Sequence, residues 1–373
     1  MLGWLLQLRL EALRPRARTA VLDLISWKVR GHCVATKSLF GAHREHSQPE
    51  PVYRLPLEVH HNWRVGAMKI SPRLEITPSI ARGDQGQPGS EDDTVPEDAV
   101  WSEIEYLTVD PKHQYEKPYE LRFQVGGAIP ETNMVDESRK VSIRNFRPLE
   151  NAQNFEEYGF SASRIDCSLP SAEFDDKEKV GKIYYPAVKR MLWHKFPDAG
   201  QIRILEHGLR KRDPEFPATH KPFFKHVQPS TIAHIDYSIY SAARTAQGAF
   251  KMAPSQYQRL ITVNVWKSLQ GPGNDWPLAL CDWRTLDRPS ESVVVDVVYS
   301  KDFTENESVY YSPKHKWYYF KDLGDDEVIV FQQTDSALPT GGGAAHASFH
   351  NPDADEYAAP RASIELRAFI FYL

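Results

Sequence analysis

From Thr231 to Leu373 the chain is a succession of short runs rich in β-branched and aromatic residues, and nothing else in it constrains the fold as tightly. Ile261 to Trp266, Ser292 to Tyr299, Val309 to Tyr311, Trp317 to Phe320, Val328 to Gln332 and Ser363 to Tyr372 have this character, and turn signals such as Gly271-Pro272-Gly273-Asn274 separate some of them. Many short strands with little helix predict an antiparallel sandwich or barrel, and a jelly roll would bring sequence-distant strands to one mouth. Helices are expected only as flanking elements. Asp175 and Asp176 can cap one whose apolar positions Val180, Ile183, Tyr184, Ala187 and Met191 follow helical spacing, with Pro186 predicted to kink it. A second is predicted from Pro254 to Arg259.

The rest of the chain sets bounds. With 373 residues, 41% of them hydrophobic, a sizeable core can be buried. A net charge of −5 gives no electrostatic case for nucleic-acid binding. Cys33, Cys167 and Cys281 are dispersed, which speaks for free thiols in a reducing compartment and against a cysteine zinc site. No apolar run is long enough to span a bilayer. Residues 1–50 differ from the remainder, with 8 Lys and Arg against 4 Asp and Glu. They read as a basic extension outside the fold, and a cytoplasmic location is expected; were this Arg-rich start a transit peptide, the location would be mitochondrial. Short β-like runs begin near Pro51. Residues 82–98 have the Gly, Pro and acidic composition of a surface loop. The expectation is a single domain over 51–373 carrying that loop.

Within the β-rich half, Ile232-Ala233-His234-Ile235-Asp236-Tyr237-Ser238 stands out. In a strand, His234 and Asp236 point to the same side. An imidazole beside a carboxylate supplies two ligands of a 2-His-1-carboxylate iron site. Spacing alone is weak, since His43 and Glu45 match it too. The third ligand is expected from a distant strand: His346, 112 positions later, with His350 as the competing residue. Such a site leaves coordination positions for a 2-oxo acid and dioxygen. Arg361, fifteen residues beyond His346, can bind the far carboxylate with its planar fork, and Ser363 can add a hydrogen bond. Arg367 competes for that anion, because it falls on the same face of the last strand. Asn264, Trp266 and Lys267 are further pocket residues, with Tyr184, Tyr185, Arg210 and Trp283 behind them.

A family resemblance joins these segments. Glu116-Lys117-Pro118-Tyr119, His234-Ile235-Asp236, Asn264 to Pro272, Pro277 to Asp282, Trp317-Tyr318-Tyr319 and Ser363 to Phe369 resemble, in order, the fungal gibberellin-desaturase-like group with its AsaB-type hydroxylase/desaturases, related to cephalosporin 7α-methoxylase components. The resemblance covers about residues 100–373. It implies a double-stranded β-helix (jelly-roll, cupin-like) core and an iron(II)/2-oxoglutarate-dependent oxygenase that uses O2 on a small, secondary-metabolite substrate. It also implies His234, Asp236 and His346 as metal ligands. Arg361 and Ser363 fall on the family's Arg-x-Ser motif, and Lys267 and Asn264 fall in its pocket block. Departures occur at Tyr237, where the family has Gln, at Lys267, where it has Arg, and at the Gly341-Gly342-Gly343 run before the distal His. The expected outcome is hydroxylation, desaturation or ring closure by C–H abstraction. A cupin-like metal oxygenase independent of 2-oxoglutarate, and a non-catalytic ligand-binding jelly roll, are the alternative readings.

Overall fold

Runs with strand period and branched side chains pair into two sheets that face one another, and the space between them holds the functional residues. The computed structural model describes residues 98–373 apart from 124, 128, 152, 218–223, 273, 274 and 356. The basic segment 1–50, the β-like runs of 51–80 and nearly all of the acidic Gly/Pro loop lie outside the described residues.

The larger sheet has nine strands, among them β1 (Val100–Leu107), β2 (Tyr119–Leu121), β3 (Asp136–Asn145), β6 (His234–Ile235) and β8 (Leu278–Cys281). It is completed by β9 (Ser292–Val298), β10 (Phe303–Val309), β11 (Trp317–Tyr319) and β13 (His346–Ser348), in the order β1-β3-β11-β8-β13-β6-β10-β9-β2. The smaller has β4 (Phe160–Arg164), β12 (Glu327–Asp335), β7 (Arg259–Ser268), β14 (Ala362–Tyr372) and β5 (Gln201–Lys211), in that order. The described part is thus mainly β with flanking helices, the jelly-roll architecture expected from the sequence.

The nine-stranded sheet curls until β1 meets the chain just before β6. Glu105 bridges Ile232, and Leu107 bridges Tyr310. Small side chains make the curl possible: Ala233, Ala279, Ala345 and Ala347 are fully buried inside it beside Ile104, Tyr106, Ile143 and Trp317. The Trp317 indole donates to the Tyr106 hydroxyl at 2.7 Å, so the largest ring in this core has its polar atom satisfied. The other face of the same strands looks at the five-stranded sheet.

Helices do cover the outer face of the smaller sheet, but they differ in detail from the expectation. Asp176 caps a first turn, accepting from the backbone N–H groups of Glu178 and Lys179. A π turn over Val180–Tyr184 follows, and the helical run continues as Tyr185–Lys195, so the irregularity expected at Pro186 falls on the turn just before it. Proline cannot donate the helical N–H bond at that position, and the π turn just before it is where the helical ladder accommodates the break. Val180, Tyr184, Val188 and Leu192 pack on Val263, Val265, Ile364 and Leu366 of the sheet. The expected helix from Pro254 to Arg259 is a single 3-10 turn, Pro254–Gln256. The helix in this region is Ile239–Phe250 instead, with Ser238 accepting from the Ser241 N–H as its cap. The strand expected at Val309 to Tyr311 lies upstream as β10, which ends at Val309.

Strand β14 is paired on both sides, with β7 and with β5, and buries Leu366, Phe369 and Phe371 completely. Deleting the last ten residues should therefore abolish soluble expression, and Leu366→Ala should cost about 2–5 kcal/mol in urea unfolding. A soluble truncated chain would show that β14 is dispensable to the sheet.

Candidate active site

Two very short strands bring the first residues together. His346 of β13 stands directly opposite His234 of β6 in an antiparallel pair, so their imidazoles share one face. The ring centroids are 4.3 Å apart. Asp236, two residues beyond His234, points the same way, and its Oδ1 lies 3.4 Å from His234 Nε2. One donor atom from each of His234, Asp236 and His346 can be chosen so that all three lie within 4.8 Å of one another.

Each of these groups is aimed by its surroundings. His234 Nδ1–H donates to the Ile232 carbonyl at 2.7 Å, and His346 Nδ1 faces the Ala344 carbonyl at 3.4 Å. Both rings thereby present Nε2 to the cavity as a lone-pair donor. Burial, and next the neighbouring His234, bring the His346 imidazole down to about 3, so it is neutral at physiological pH. Burial alone would raise the Asp236 carboxyl; the Arg367 guanidinium and the two imidazoles override that and hold it well below the usual carboxylate range. Asp236 Oδ2 accepts from Asn264 Nδ2 at 2.7 Å and from Arg367 Nε at 3.2 Å. Its backbone N–H donates to Gln333 Oε1 at 2.6 Å. One carboxylate oxygen is thus saturated, leaving Oδ1 to the imidazoles.

The Gly341-Gly342-Gly343 run leading into β13 is no slack spacer. All three glycines have positive φ, at 80°, 59° and 107°. A Cβ on Gly342 would strike the Gln332 amide, and one on Gly343 the Gln333 carbonyl. The run is a tight turn that delivers Ala344-Ala345-His346 in register.

Arg361, immediately before strand β14, and Ser363, Glu365 and Arg367 within it line the opposite wall, since alternate residues share a face. The two arginines differ in partners. Arg367 is committed to Asp236 and to Glu206, at 3.2 and 3.0 Å. Arg361 is 2% exposed and held only by neutral groups: the Trp276 carbonyl (2.9 Å), Ser348 Oγ and Ser363 Oγ (3.3 Å). It lies over the Trp266 ring at 5.1 Å, and among the described residues no carboxylate pairs with it. Burial, and next Arg210, bring its guanidinium down to about 9. On β7, Asn264 and Trp266 face the cavity, and Asn264 Oδ1 and Trp266 Nε1 are buried without a hydrogen-bond partner.

Several anticipated residues stand elsewhere. Lys267 is not brought to this cavity: its neighbour Trp266 faces inward, so its own side chain points to the helix side, where its amine donates to the Asp325 carbonyl. His350 lies against Trp276, with ring centroids 5.7 Å apart, and is not among the converging donors. Tyr184 is buried under the helix, Tyr185 bonds His207 at 2.8 Å, and the Trp283 indole donates to the Glu157 carbonyl at 2.8 Å. Sequence reasoning missed Ser348, Gln333 and Glu365. Glu365 was open to detection, because it alternates with Ser363 and Arg367.

Comparisons with known proteins bear on this arrangement. The family described as the oxidoreductase/YMDC permease-like domain, YDMC, matches residues 104–371. The chain is 25% identical over 276 residues to hydroxylase/desaturase poxK of Penicillium oxalicum, covering 65% of this chain and 82% of that protein. It is also 25% identical over 281 residues to the Fe(II)/2-oxoglutarate-dependent dioxygenase nvfI of Aspergillus novofumigatus, covering 73% and 97%. To the alpha-ketoglutarate-dependent dioxygenase tstK of Talaromyces stipitatus it is 26% identical over 240 residues, covering 62% and 84%. The solved structure of the iron and alpha-ketoglutarate-dependent endoperoxidase NvfI superposes with a TM-score of 0.62 at 24% identity, over 73% of this chain and 98% of that one. That likeness establishes a shared fold.

The depressed His346 imidazole carries a consequence for stability. Its folded value lies near 3, against about 6.5 unfolded. Between those values the unfolded chain binds the extra proton, so stability falls as pH drops from about 6.5 toward 3. In chelator-treated protein, melting temperatures measured from pH 7 to 4.5 should decline more steeply for wild type than for His346→Asn. Parallel curves would contradict the assignment.

Proposed function

We propose, for a chain that belongs to the oxidoreductase/YMDC permease-like domain family, YDMC, that His234, Asp236 and His346 hold iron(II) and that Arg361 anchors 2-oxoglutarate. The protein is an iron(II)/2-oxoglutarate-dependent oxygenase that also consumes O2 and acts on a small molecule of secondary metabolism by hydroxylation, desaturation or cyclisation. One observation supports the assignment of residues: a donor atom from each of His234, Asp236 and His346 lies within 4.8 Å of the others, and the facing sheet carries at its edge the buried Arg361 guanidinium, with no carboxylate partner among the described residues.

The donor set suits the metal. Two imidazoles and one carboxylate on a single face match the facial arrangement used by non-haem iron(II). When bound, iron(II) with 2-oxoglutarate and dioxygen supplies the oxidising power, converting the co-substrate to succinate and removing hydrogen from an unactivated C–H bond.

The chain's own residues do the rest. Arg367 and Asn264 fix the Asp236 carboxylate through Oδ2, so its orientation is set before any ligand arrives. The Ile232 carbonyl holds the His234 tautomer. Arg361 offers an uncompensated charge to a distal carboxylate, and Ser363 and Ser348 support the guanidinium as neutral hydrogen-bonding neighbours. Arg367 does not suit that task, because its charge is already opposed by Asp236 and Glu206. Apolar side chains at Leu278, Leu280, Ile329 and Phe331 exclude water from the space between the sheets.

Two measurements test this. His234→Ala and Asp236→Ala should each abolish stoichiometric iron(II) binding, read by metal analysis after anaerobic dialysis; unchanged iron content in both would sink the ligand assignment. Arg361→Ala should weaken 2-oxoglutarate roughly tenfold to a hundredfold, the scale of a lost charge-assisted pair, in anaerobic titration while iron content holds. Substrate turnover without 2-oxoglutarate would overturn the co-substrate role.

A further inference from the structure

The wall beside the proposed metal site contains a donor and an acceptor that the arrangement above does not use. In the pairing of β5 with β14, Arg210 stands opposite Ser363, Gly208 opposite Glu365 and Glu206 opposite Arg367. Residues directly opposite one another share a face, so Arg210 and Gly208 open onto the same cavity as Arg361, Glu365 and the His-Asp-His group. Arg210 is half-buried on this face.

Arg210 and Glu365 are diagonal neighbours, with Cβ atoms expected roughly 7–8 Å apart or somewhat less, within reach of two long side chains. Even so, they form no ion pair. Arg210 is drawn aside, its Nη1 donating to the Gln228 carbonyl at 2.6 Å. Glu365 is half-buried and makes no hydrogen bond or ion pair to any described residue. Between them, a Cβ built on Gly208 would meet nothing within 4 Å. Glycine is not required there by the backbone, since its φ is that of an ordinary strand residue. What the glycine leaves is space. A carboxyl group so placed can accept a hydrogen bond from a hydroxyl.

We propose that Arg210, Gly208 and Glu365 form the subsite that orients the substrate, and that it takes a hydroxylated carboxylic acid: the carboxylate on Arg210, the hydroxyl on Glu365, and the carbon skeleton over Gly208. The inference rests on the metal and co-substrate reading above and adds the class of substrate to it. A substrate so held is gripped by its oxygen functions on β5 and β14, and its C–H bonds face the His-Asp-His group.

The test uses full-length protein loaded with zinc(II) in place of iron, plus 2-oxoglutarate, with 3-hydroxybenzoate and benzoate as probes in NMR titrations. Wild type should bind 3-hydroxybenzoate more tightly than benzoate. Arg210→Ala should weaken both by roughly tenfold or more, the scale of one charge-assisted hydrogen bond. Glu365→Ala should erase the preference for the hydroxylated probe. Gly208→Leu, which fills the space without straining the strand, should exclude both. In all three variants 2-oxoglutarate should bind within about twofold of wild type on the same scale. The subsite is overturned if wild type ignores both probes at millimolar concentration, or if the variants bind them as wild type does. Loss of 2-oxoglutarate in Arg210→Ala would overturn it too, by giving that arginine to the co-substrate. Failure of wild type to bind zinc(II) and 2-oxoglutarate at all would be a different result, bringing down the underlying reading and this subsite with it.

Discussion

A single backbone register, His346 opposite His234, is the constraint on which the candidate site depends. The strands that carry it are too short to set it alone: β6 spans two residues and β13 three. Their neighbours impose it, with Ser308 of β10 opposite His234 and Leu280 of β8 opposite His346. Slipping any of these pairs by one residue would turn an imidazole into the alanine-filled core of the curled sheet. Ala233, Ala279, Ala345 and Ala347 therefore serve the site as well as the fold. Larger side chains would widen the curl and shift the register that aligns the two histidines.

Charge distribution follows from that geometry. Two guanidiniums project from the same face of β14, six residues apart, and meet different surroundings. Arg367 lies opposite Asn264 on one side and Glu206 on the other, close to Asp236. It neutralises the carboxylate that burial would otherwise protonate. Arg361 lies where the neighbours are serines, a tryptophan face and a backbone carbonyl. A buried cation without a counter-ion is destabilising, and the depression of its guanidinium to about 9 expresses that. Such an arrangement persists where function needs an unmet charge, and a dicarboxylate co-substrate is the natural complement.

Much of this was legible in the sequence, and the failures have physical causes. The His234 and Asp236 spacing could be read because strand periodicity is local. His346 could be chosen over His350 only through the order of motifs, since no local rule joins residues 112 apart. Strand β10 was misplaced because Phe303-Thr304-Glu305-Asn306-Glu307 is polar, and its pairing on both edges overrides weak intrinsic preference. The helix Ile239–Phe250 was overlooked because Ala, Ser, Arg and Gln dominate it, and its apolar stripe is thin. Lys267 is the instructive error. Asn264 and Lys267 are three apart in one strand, so they cannot both face the same cavity, and the period of two alone decides against one of them.

The same periodicity argues that the outcome of the chemistry is set on the five-stranded sheet. The His-Asp-His group and its supports form a network that spans both sheets: the Ile232 carbonyl fixes the His234 tautomer, and Asn264 of β7 and Arg367 of β14 fix the Asp236 carboxylate. Substituting there changes whether the site works. The inward positions of β5 and β14 differ in kind. Arg210, Gly208 and Glu365 lie within two residues of one another in register, yet make few bonds within the protein. Side chains of that sort can be exchanged without unmaking the metal site, and each exchange moves a bound molecule. A displacement of about 1 Å at a reacting carbon is enough to change a rate by orders of magnitude, so the placement of the substrate weighs on which reaction wins. Relatives sharing one ligand set can therefore differ in product through residues on the opposite wall.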